Sequence, residues 1–356
     1  MDDEKFMRAA LREAERGLGH TSPNPAVGAV IVRNGRIVAR GFHRGAGLPH
    51  AEIEALRALK KPGLAKGATI YVTLEPCSTH GRTPPCVDAL VGAGFSRVVV
   101  GTVDPNPAHA GRGLELLRAA GIEVKSSVLE AECRTLNRVF NHWITTGGPY
   151  VIAKMGMSLD GRLTRPPGEG QWLTSEASRA DAHRLRAQVD AILIGAQTLR
   201  SDNPRLTVRG IPGARQPWRI VLTRSGELPA DAHLFTDTHR EKTRVFRNQS
   251  LGEVLATLGR EQITSVLIEG GMRVLGEAFD KRLVHEVRGY VAPLICGGPI
   301  VAIGGEGVAA SADSVRLTEI AYRRIGSDLL FQGIVGDGAA GEPFTEDLPA
   351  TAVEAV

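Results

Sequence analysis

The chain has 356 residues, of which 42% are hydrophobic and 23% charged, and its formal net charge at pH 7 is +4. That length allows two domains of ordinary size, each with its own core. The composition is that of a soluble globular protein: no apolar run approaches the roughly 18 residues that span a bilayer, and aromatic residues, at 4%, are poor material for stacking nucleic-acid bases.

The cellular setting is predicted from the start of the chain and from its cysteines. The sequence begins Met1-Asp2-Asp3-Glu4, which is acidic where a signal peptide would be basic, so we expect a cytoplasmic protein with no membrane partner. The four cysteines fit a reducing compartment better than two disulfides. Lysine and arginine are spread without a dense cluster, which favours a small phosphorylated substrate over nucleic acid. We also expect a homo-oligomer.

The first predicted domain, residues 1–146, alternates strands and helices. Apolar residues at helical spacing predict an amphipathic helix over residues 4–18. Asn34-Gly35 lies between two strand patterns, residues 26–32 and 36–42, and predicts a hairpin. The other predicted elements of this domain are helices over residues 51–59, 85–93, 113–120 and 129–144, and strands over residues 69–74, 97–103 and 123–128.

Gly147-Gly148-Pro149 breaks the chain, and a second α/β domain follows over residues 147–336. Its predicted strands cover residues 150–155, 191–195, 219–223, 244–246, 265–269 and 286–292, and its predicted helices cover residues 179–188, 251–258 and 274–281. Residues 337–356 are rich in alanine, glycine, proline and acid, and we expect them to form a disordered tail.

His50-Ala51-Glu52, with Cys77 and Cys86, predicts a catalytic zinc site. Three protein ligands leave the fourth tetrahedral position of zinc to water, which then ionises near neutral pH. Glu52 lies two residues from the histidine, where it can carry a proton without binding the metal. The series matches the known signature of zinc-dependent nucleobase deaminases, His-x-Glu with a later Pro-Cys. That signature spaces its cysteines Cys-x-x-Cys, whereas eight residues separate them here.

A structural zinc site is the alternative interpretation of the same residues, with His43, His80 or His109 as a fourth ligand. Two free buried thiols are another. The carboxylate of Glu52 argues against both, because a structural zinc does not need an unligated carboxylate beside it.

The second half lacks the Gly-x-Gly-x-x-Gly fingerprint of a dinucleotide-binding Rossmann fold. Glu269-Gly270-Gly271 follows a predicted strand and precedes a helix, where backbone amides can approach a phosphate. A plain strand-helix turn explains it equally well. Two polar segments, residues 158–162 and a predicted loop over residues 202–209, lie near strand ends, where open α/β sheets bind ligands. Turn formation alone also accounts for their composition.

Several longer motifs are specific enough to indicate a family. In the first half they are Thr21-Ser22-Pro23-Asn24-Pro25-Ala26-Val27-Gly28, His50-Ala51-Glu52, residues 75–86 and Asp104-Pro105-Asn106-Pro107. In the second half they are residues 158–162, Gln171-Trp172-Leu173-Thr174, Leu185-Arg186, Asp202, residues 204–209 and Glu269-Gly270-Gly271. Over residues 4–334 the chain resembles the bifunctional deaminase-reductases of riboflavin biosynthesis.

The resemblance implies a cytidine-deaminase-like zinc domain followed by a domain similar to dihydrofolate reductase. In the first domain it implies that His50, Cys77 and Cys86 hold zinc and that Glu52 is the catalytic proton shuttle. Three further residues are implied for the substrate: Asn24 and His43 would line the pyrimidine pocket, and Arg82 would meet the phosphate.

In the second domain the resemblance implies an NADPH site and a site for the phosphoribosyl-pyrimidine. The residues implied for NADPH are Gly156, Trp172, Thr198, Asp202, Arg224, Gly271, Met272, Arg273, Val274, Leu275, Gly276 and Glu277. Those implied for the substrate are Lys154, Gly170, Arg186, Leu206, Arg209 and Glu269. Lys154 and Asp202 are also candidates for polarising the reacting sugar carbon, and Arg224 for meeting a 2′-phosphate, unless it is an ordinary exposed arginine.

The implied chemistry has two steps. Zinc-bound hydroxide deaminates 2,5-diamino-6-ribosylamino-4(3H)-pyrimidinone 5′-phosphate, and NADPH then reduces the ribosyl group to a ribityl group. Three departures from the family pattern, His109, Asn203 and His285, remove none of the implied ligands. Two alternatives stay open: a nucleic-acid-editing deaminase with a fused binding domain, and a chain in which one domain is an inactive scaffold.

Overall fold

The computed structural model describes residues 2–79, 85–106, 109–163 and 172–336. Within these ranges the chain forms two α/β units, one around a five-stranded sheet and the other around an eight-stranded sheet. None of the described helices is both long and apolar enough to cross a membrane. The tail expected to be disordered, residues 337–356, lies outside the described residues.

The first unit is a three-layered sandwich with helices on both faces of the sheet. Its strands are β1 (Gly28–Arg33), β2 (Arg36–Phe42), β3 (Thr69–Leu74), β4 (Arg97–Thr102) and β5 (Glu123–Lys125), in the order β2-β1-β3-β4-β5. Its helices are α1 (Asp3–Glu15), α2 (Ala51–Arg57), α3 (Cys86–Ala93), α4 (Arg112–Ala119), α5 (Glu130–Leu136) and α6 (Arg138–Thr146). Helices α1 and α5 cover one face, and α2, α3 and α4 cover the other.

The predicted hairpin is confirmed. Asn34 and Gly35 both have positive φ, at 50° and 71°, as a two-residue hairpin turn with primed geometry requires. Strands β1 and β2 pair antiparallel on either side of it, whereas β3, β4 and β5 run parallel to one another. The carboxyl ends of the parallel strands therefore point the same way, and the zinc motif follows β3 at that edge.

The single helix predicted over residues 129–144 is wrong, because the structure breaks it at Asn137. The buried side chain of Asn137 accepts a hydrogen bond from the backbone N–H of Ala26 at 2.8 Å and donates one to its carbonyl at 2.9 Å. These bonds hold Asn137 in a non-helical conformation between α5 and α6. Helix α6 then packs on the second unit, where the Trp143 indole donates to the carbonyl of Gly259 at 3.0 Å.

The second unit has an eight-stranded sheet that is mostly parallel. Its strands are β6 (Tyr150–Ser158), β7 (Ala191–Gly195), β8 (Trp218–Thr223), β9 (Thr243–Arg247), β10 (Ser265–Glu269), β11 (Glu286–Ala292), β12 (Leu317–Ile325) and β13 (Asp328–Val335), in the order β12-β13-β11-β6-β10-β7-β8-β9. Its helices are α7 (Glu176–Gln188), α8 (Ala196–Asp202), α9 (His233–Thr236), α10 (Leu251–Arg260) and α11 (Met272–Asp280). Helices α10 and α11 cover one face, and α7, α8 and α9 cover the other.

Sequence reasoning missed α8 and the antiparallel hairpin of β12 and β13. The predicted loop containing Asp202 is wrong at its start, because Asp202 is the last residue of α8. Asn203 ends that helix in the left-handed conformation at φ 40°, which asparagine tolerates well. Its side chain also accepts a hydrogen bond from the backbone N–H of His233 at 2.9 Å. This departure from the family pattern therefore acts as a helix cap.

His285, another departure from the family pattern, lies where α6 meets the second sheet. Its ring lies 4.1 Å from that of His142 and stacks against Tyr150 at 5.2 Å. Its Nδ1 accepts a hydrogen bond from the backbone N–H of Val151 at 3.0 Å, so this nitrogen carries no proton. Burial, together with the neighbouring His142, lowers the pKa of His285 to about 4.

Stability is expected to fall between pH 6.5 and about 4 because of His285. The unfolded histidine takes up a proton near its ordinary pKa of 6.5, whereas the folded one does so only near 4. Protonation of the unfolded histidine thus lowers the free energy of unfolding below pH 6.5 by up to about 3 kcal/mol, since one pKa unit corresponds to about 1.4 kcal/mol. Urea unfolding at pH 7 and pH 4.5 should show a smaller pH effect in His285→Gln than in the wild type. The same substitution at exposed His20 should keep the wild-type slope, and an unchanged slope in His285→Gln would contradict the assignment.

Candidate active sites

The first site begins at the amino-terminal end of α2. His50 is the residue that precedes this helix, and Glu52 lies in its first turn with 3% of its surface exposed. Helix α2 lies directly on β2, because a Cβ atom at Gly41 would come within 2.2 Å of the backbone nitrogen of Ala55. This close approach fixes both His50 and Glu52 relative to the first sheet.

Cys77 and Cys86 reach the same point from two other segments. Cys77 follows β3, and Cys86 is the first residue of α3. The backbone N–H of Cys86 donates to the Cys77 sulfur at 3.3 Å. The His50 Nδ1 atom lies 3.4 Å from the Cys77 Sγ and 3.3 Å from the Cys86 Sγ. A tetrahedral zinc with ordinary bond lengths would place such nitrogen and sulfur atoms about 3.6 Å apart. The three side chains therefore fit a zinc ion with little movement.

The electrostatics suit both metal binding and proton transfer. A hydrogen bond shared with Cys86, together with one from His50, lowers the pKa of Cys77, which favours the thiolate form that binds zinc. Burial, with the nearby Cys77 charge, raises the pKa of Glu52 to about 7. A carboxyl with that pKa accepts and releases a proton readily near neutral pH, as a general acid-base catalyst must.

Asn24 and His43 form a connected pair beside the metal ligands. The His43 Nδ1 atom lies 3.0 Å from the carbonyl of Pro49, and a carbonyl can only accept, so Nδ1 carries the proton. The other ring nitrogen then accepts from the Asn24 amide at 3.1 Å. This arrangement fixes the orientation of the Asn24 amide and presents it to a ligand in a defined way.

The structural-zinc alternative finds no support in the part of the chain that the structure describes. Both ring nitrogens of His43 are hydrogen-bonded, and the metal-ligating cluster there consists of His50, Cys77 and Cys86 without His109. His80 and Arg82 lie outside the described residues. Three ligands beside a buried carboxylate are the arrangement of a catalytic zinc site.

Replacing Cys86 with Ser is expected to remove zinc from the site. A neutral hydroxyl is a much poorer zinc ligand than a thiolate, and two remaining ligands hold the ion weakly. Metal analysis of the purified variant should find well below one zinc per chain. Cys133→Ser, which changes a buried cysteine of α5, should retain the metal. Full zinc occupancy in Cys86→Ser would contradict the ligand assignment.

Glu75 has a role that sequence reasoning missed. Its carboxylate accepts hydrogen bonds from the backbone N–H groups of Asp104, Gly111 and Gly113 at 3.1, 2.9 and 2.8 Å. Glu75 precedes the Pro76-Cys77 segment, so it ties the loop after β4 to the metal-bearing segment. The only sequence signal was an acidic residue beside the Pro-Cys pair, which does not reveal these backbone partners.

The second site is a cleft of about 1700 Å³ at the carboxyl ends of the parallel strands β6, β7, β8 and β10. Ligands of open α/β sheets bind at this edge. The predicted residues that line the cleft are Lys154, Gly156, Trp172, Arg186, Thr198, Asp202, Leu206, Arg209, Arg224, Glu269, Gly271, Met272, Arg273, Val274 and Glu277. Gly170 lies outside the described residues.

Leu275 and Gly276 do not line the cleft, contrary to the sequence prediction. Leu275 is fully buried in the core. A Cβ atom at Gly276 would come within 2.4 Å of the backbone nitrogen of Gly305, so this face of α11 packs against another segment. The helical period explains the error, because the cleft receives only the residues of the helix that face it.

Glu269 and Arg186 form a buried ion pair at the centre of the cleft. The guanidinium of Arg186 binds both carboxylate oxygens, with Nη2 at 2.7 Å from Oε2, and also donates to the carbonyl of Thr207 at 3.1 Å. The Lys154 ammonium lies 3.9 Å from the same carboxylate. Burial opposes ionisation of Glu269, but Arg186 and Lys154 outweigh it and lower its pKa to about 2. The carboxylate therefore stays charged at neutral pH.

The side chains around the Arg186–Glu269 pair carry more positive charge than the Glu269 carboxylate neutralises. Burial, with Arg186 and Arg209 nearby, lowers the pKa of His183 to about 4. The pKa of Arg209 is lowered by burial and by repulsion from Arg186 and Arg205. An anion bound among these groups would relieve the repulsion, so this part of the cleft is suited to a phosphate.

The amino-terminal end of α11 borders another part of the cleft. Gly270 and Gly271 have φ values of 69° and 83°, which favour glycine, and Gly271 immediately precedes the helix. A Cβ atom at Gly271 would lie 3.0 Å from the Thr198 hydroxyl oxygen. The turn therefore brings unpaired backbone amides of a helix close to the cleft, where they can bind a phosphate group.

Several cleft residues were not predicted from the sequence. The main ones are Arg179, His183, Arg205, Asp280, Lys281 and Tyr290. Arg205 lies within a motif that was recognised, so its charge was the available signal. Tyr290 is buried on β11, and its hydroxyl donates to Asp181 at 2.9 Å. Whether Tyr290 lines the cleft depends on the order of the strands in the sheet, which the local sequence pattern does not reveal.

Comparison with known proteins matches both halves of the chain. Residues 1–102 match the cytidine and deoxycytidylate deaminase zinc-binding region, and residues 149–331 match the RibD C-terminal domain. The chain is 40% identical to riboflavin biosynthesis protein RibD of Actinobacillus pleuropneumoniae, over 94% of this chain and 96% of that protein. It is also 40% identical to RibD of Escherichia coli (strain K12), over 92% and 98% respectively.

Solved structures also match this chain over nearly its whole length. RibD of Acinetobacter baumannii superposes with a TM-score of 0.86 at 37% identity, covering 94% of this chain and 99% of that one. A deaminase/reductase from Thermotoga maritima gives a TM-score of 0.84 at 35% identity, with the same coverage. The likeness therefore includes both sheets and both candidate sites.

Proposed function

Because the chain belongs to the family of riboflavin biosynthesis protein RibD, we propose that residues 1–146 carry out the deamination reaction and residues 147–336 carry out the reduction reaction. The chain is a bifunctional deaminase and reductase of riboflavin biosynthesis, with zinc and NADPH as cofactors and a phosphorylated pyrimidine as substrate. The observation that carries the assignment of the first site is the buried, unligated Glu52 beside His50, Cys77 and Cys86.

In the deaminase site, His50, Cys77 and Cys86 hold zinc. Bound zinc supplies a water molecule that ionises near neutral pH. Glu52 would carry a proton to the amino nitrogen, which leaves the pyrimidine as ammonia as its bond to carbon breaks and a bond from that carbon to the oxygen of water forms. The substrate is 2,5-diamino-6-ribosylamino-4(3H)-pyrimidinone 5′-phosphate, and the oxygen of the new carbonyl comes from water. Asn24, oriented by His43, holds the pyrimidine ring.

In the reductase site, the basic groups around Arg186 and Arg209 hold the substrate phosphate, because their mutual repulsion favours an anion there. Lys154, which lies 3.9 Å from the Glu269 carboxylate, is the residue that we assign to polarising the reacting sugar carbon. The helix turn at Gly271, with Thr198, binds the pyrophosphate of the cofactor. When bound, NADPH supplies the hydride that converts the ribosyl group into a ribityl group.

Mass spectrometry of the products tests the proposal. Without NADPH, the purified protein should convert the diaminopyrimidine ribosyl phosphate into a product with oxygen in place of one amino group. Addition of NADPH should then add two hydrogens to the sugar. An unchanged substrate with zinc-loaded protein, or cytosine deamination in a single-stranded oligonucleotide instead, would overturn the assignment.

For the quaternary structure we propose a homo-oligomer that forms through β12. This strand is the edge of the eight-stranded sheet, and its residues from Thr318 to Arg324 are all exposed, with Tyr322 at 67%. An exposed edge with apolar side chains is suited to pairing with a second copy. Light scattering should find an oligomer for the wild type and for Tyr322→Phe, and a smaller species for Tyr322→Asp. A monomeric wild type would contradict the proposal.

The cytoplasm is the location proposed for the enzyme. The ligand thiols of Cys77 and Cys86 must remain reduced to bind zinc, and glutathione and thioredoxin keep cytosolic thiols in that state. Fractionation of cells that express the full chain at its natural level tests this location.

A further inference from the structure

The turn that carries Asn24 belongs to the deaminase unit but touches the reductase unit. The backbone N–H of Asn24 donates to the carbonyl of Thr21 at 2.9 Å, which closes a four-residue turn with Ser22 and Pro23 at its tip. The Ser22 hydroxyl at this tip donates to the carboxylate of Asp190 at 2.7 Å. Asp190 immediately precedes β7 in the second sheet.

Asp190 is the centre of a buried hydrogen-bond network. The residue is only 3% exposed, and its Oδ2 atom also accepts from the backbone N–H of Thr264 at 2.8 Å and from the Thr264 hydroxyl at 2.7 Å. Arg215 binds the other carboxylate oxygen. The Ser22 and Thr264 hydroxyls lie 3.3 Å apart. Because a buried network whose members are all paired is rigid, it fixes the position of the turn tip.

Close backbone packing reinforces this contact. A Cβ atom at Gly19 would come within 2.2 Å of the carbonyl oxygen of Ala187 at the end of α7, so the two units touch there without a side chain between them. On the other side of the turn, Asn137 binds both backbone groups of Ala26. The segment that holds Asn24 is thus held between Asn137 and Asp190.

We propose that Asp190 is a positioning residue for the deaminase, which acts from the reductase unit by holding the turn of residues 21–24 through Ser22. A displaced turn would move the Asn24 amide away from His43, and with it the group that binds the pyrimidine. This inference rests on the proposed deaminase function and on the proposed role of Asn24. It makes the deaminase pocket dependent on residues that belong to the other sheet.

The test is a pair of matched substitutions in the reductase unit of the full chain. Thr264→Val removes the hydroxyl that donates to Asp190 at 2.7 Å beside Ser22. Thr243→Val removes a hydroxyl on the distant strand β9, which donates to the carbonyl of Leu234 at 2.8 Å. In steady-state kinetics, Thr264→Val should raise the deaminase KM about tenfold with little change in kcat, the loss expected for one hydrogen bond to a charged group. Ser22→Ala should behave in the same way, and Thr264→Ser should restore the wild-type KM.

Two results would overturn the inference. One is an unchanged deaminase KM in both Thr264→Val and Ser22→Ala while the wild type deaminates normally. The other is a fall in kcat alone, equal for both activities, which indicates a smaller folded fraction and a merely structural role. A wild type that releases no ammonia would instead refute the proposed function, so the two failures are distinguishable. Zinc content, measured in each variant, should stay at the wild-type value.

Discussion

Glu52→Gln is expected to lower the deamination rate by about 10²–10⁴-fold, the usual effect of removing a general acid-base catalyst. The amide keeps the size of the side chain but cannot carry a proton between water and the leaving nitrogen. Because Glu52 binds no metal in the proposed site, the zinc content should be unchanged. NADPH-dependent reduction of substrate that is already deaminated should also be unchanged.

Glu54→Gln is the matched control for this variant. Glu54 lies on the same helix two residues further on, where its carboxylate binds Arg44 at 3.0 Å. Its substitution should leave ammonia release within about twofold of the wild type, because the half-buried carboxylate pairs with the exposed arginines Arg44 and Arg57, and such ion pairs contribute little. Ammonia release by Glu52→Gln at the wild-type rate would show that another group carries the proton.

Arg186→Met is expected to abolish measurable reduction and to destabilise the protein by about 3–5 kcal/mol. Removal of one partner of a buried ion pair leaves the other charge unpaired, which is the costly case. Here the carboxylate of Glu269, which is 9% exposed, would lose its two-oxygen contact with the guanidinium and keep only the Lys154 ammonium at 3.9 Å. The proposed phosphate site would also lose its central guanidinium, so the deaminated substrate should no longer bind in a way that allows reduction.

The double variant Arg186→Met/Glu269→Gln separates the two effects. It should recover part of the lost stability, because the Glu269 carboxylate is no longer charged, although the Lys154 ammonium then loses its partner; it should not recover reduction. Arg184→Met, which changes an arginine of the same helix that is 67% exposed, is the control and should be close to wild type in both assays. Recovery of reduction in the double variant would show that Arg186 acts only on stability.

The zinc site could be predicted from the sequence because each of its parts is local. His50 and Glu52 lie in one helical turn, and both cysteines stand beside strand or helix ends that the pattern indicates correctly. Their meeting point followed from the known signature of the deaminases and not from geometry. The structure adds the distances and the buried state of Glu52.

The reductase cleft was predicted less completely, because its chemistry depends on long-range contacts. Arg186 and Glu269 are 83 residues apart, and nothing in either local pattern shows that they pair. Leu275 and Gly276 were assigned to the cofactor from their place in a motif, although the helical period turns them towards the core. The interdomain network around Asp190 has no sequence signature at all.

The most direct test of two separate catalytic sites on one chain is a zinc titration of the metal-free protein, with both reactions measured on each sample. Ammonia release without NADPH should rise in proportion to bound zinc and level off at one ion per chain. Reduction of the deaminated substrate by NADPH should be constant throughout. Deamination that does not depend on zinc, or reduction that rises with it, would contradict the account.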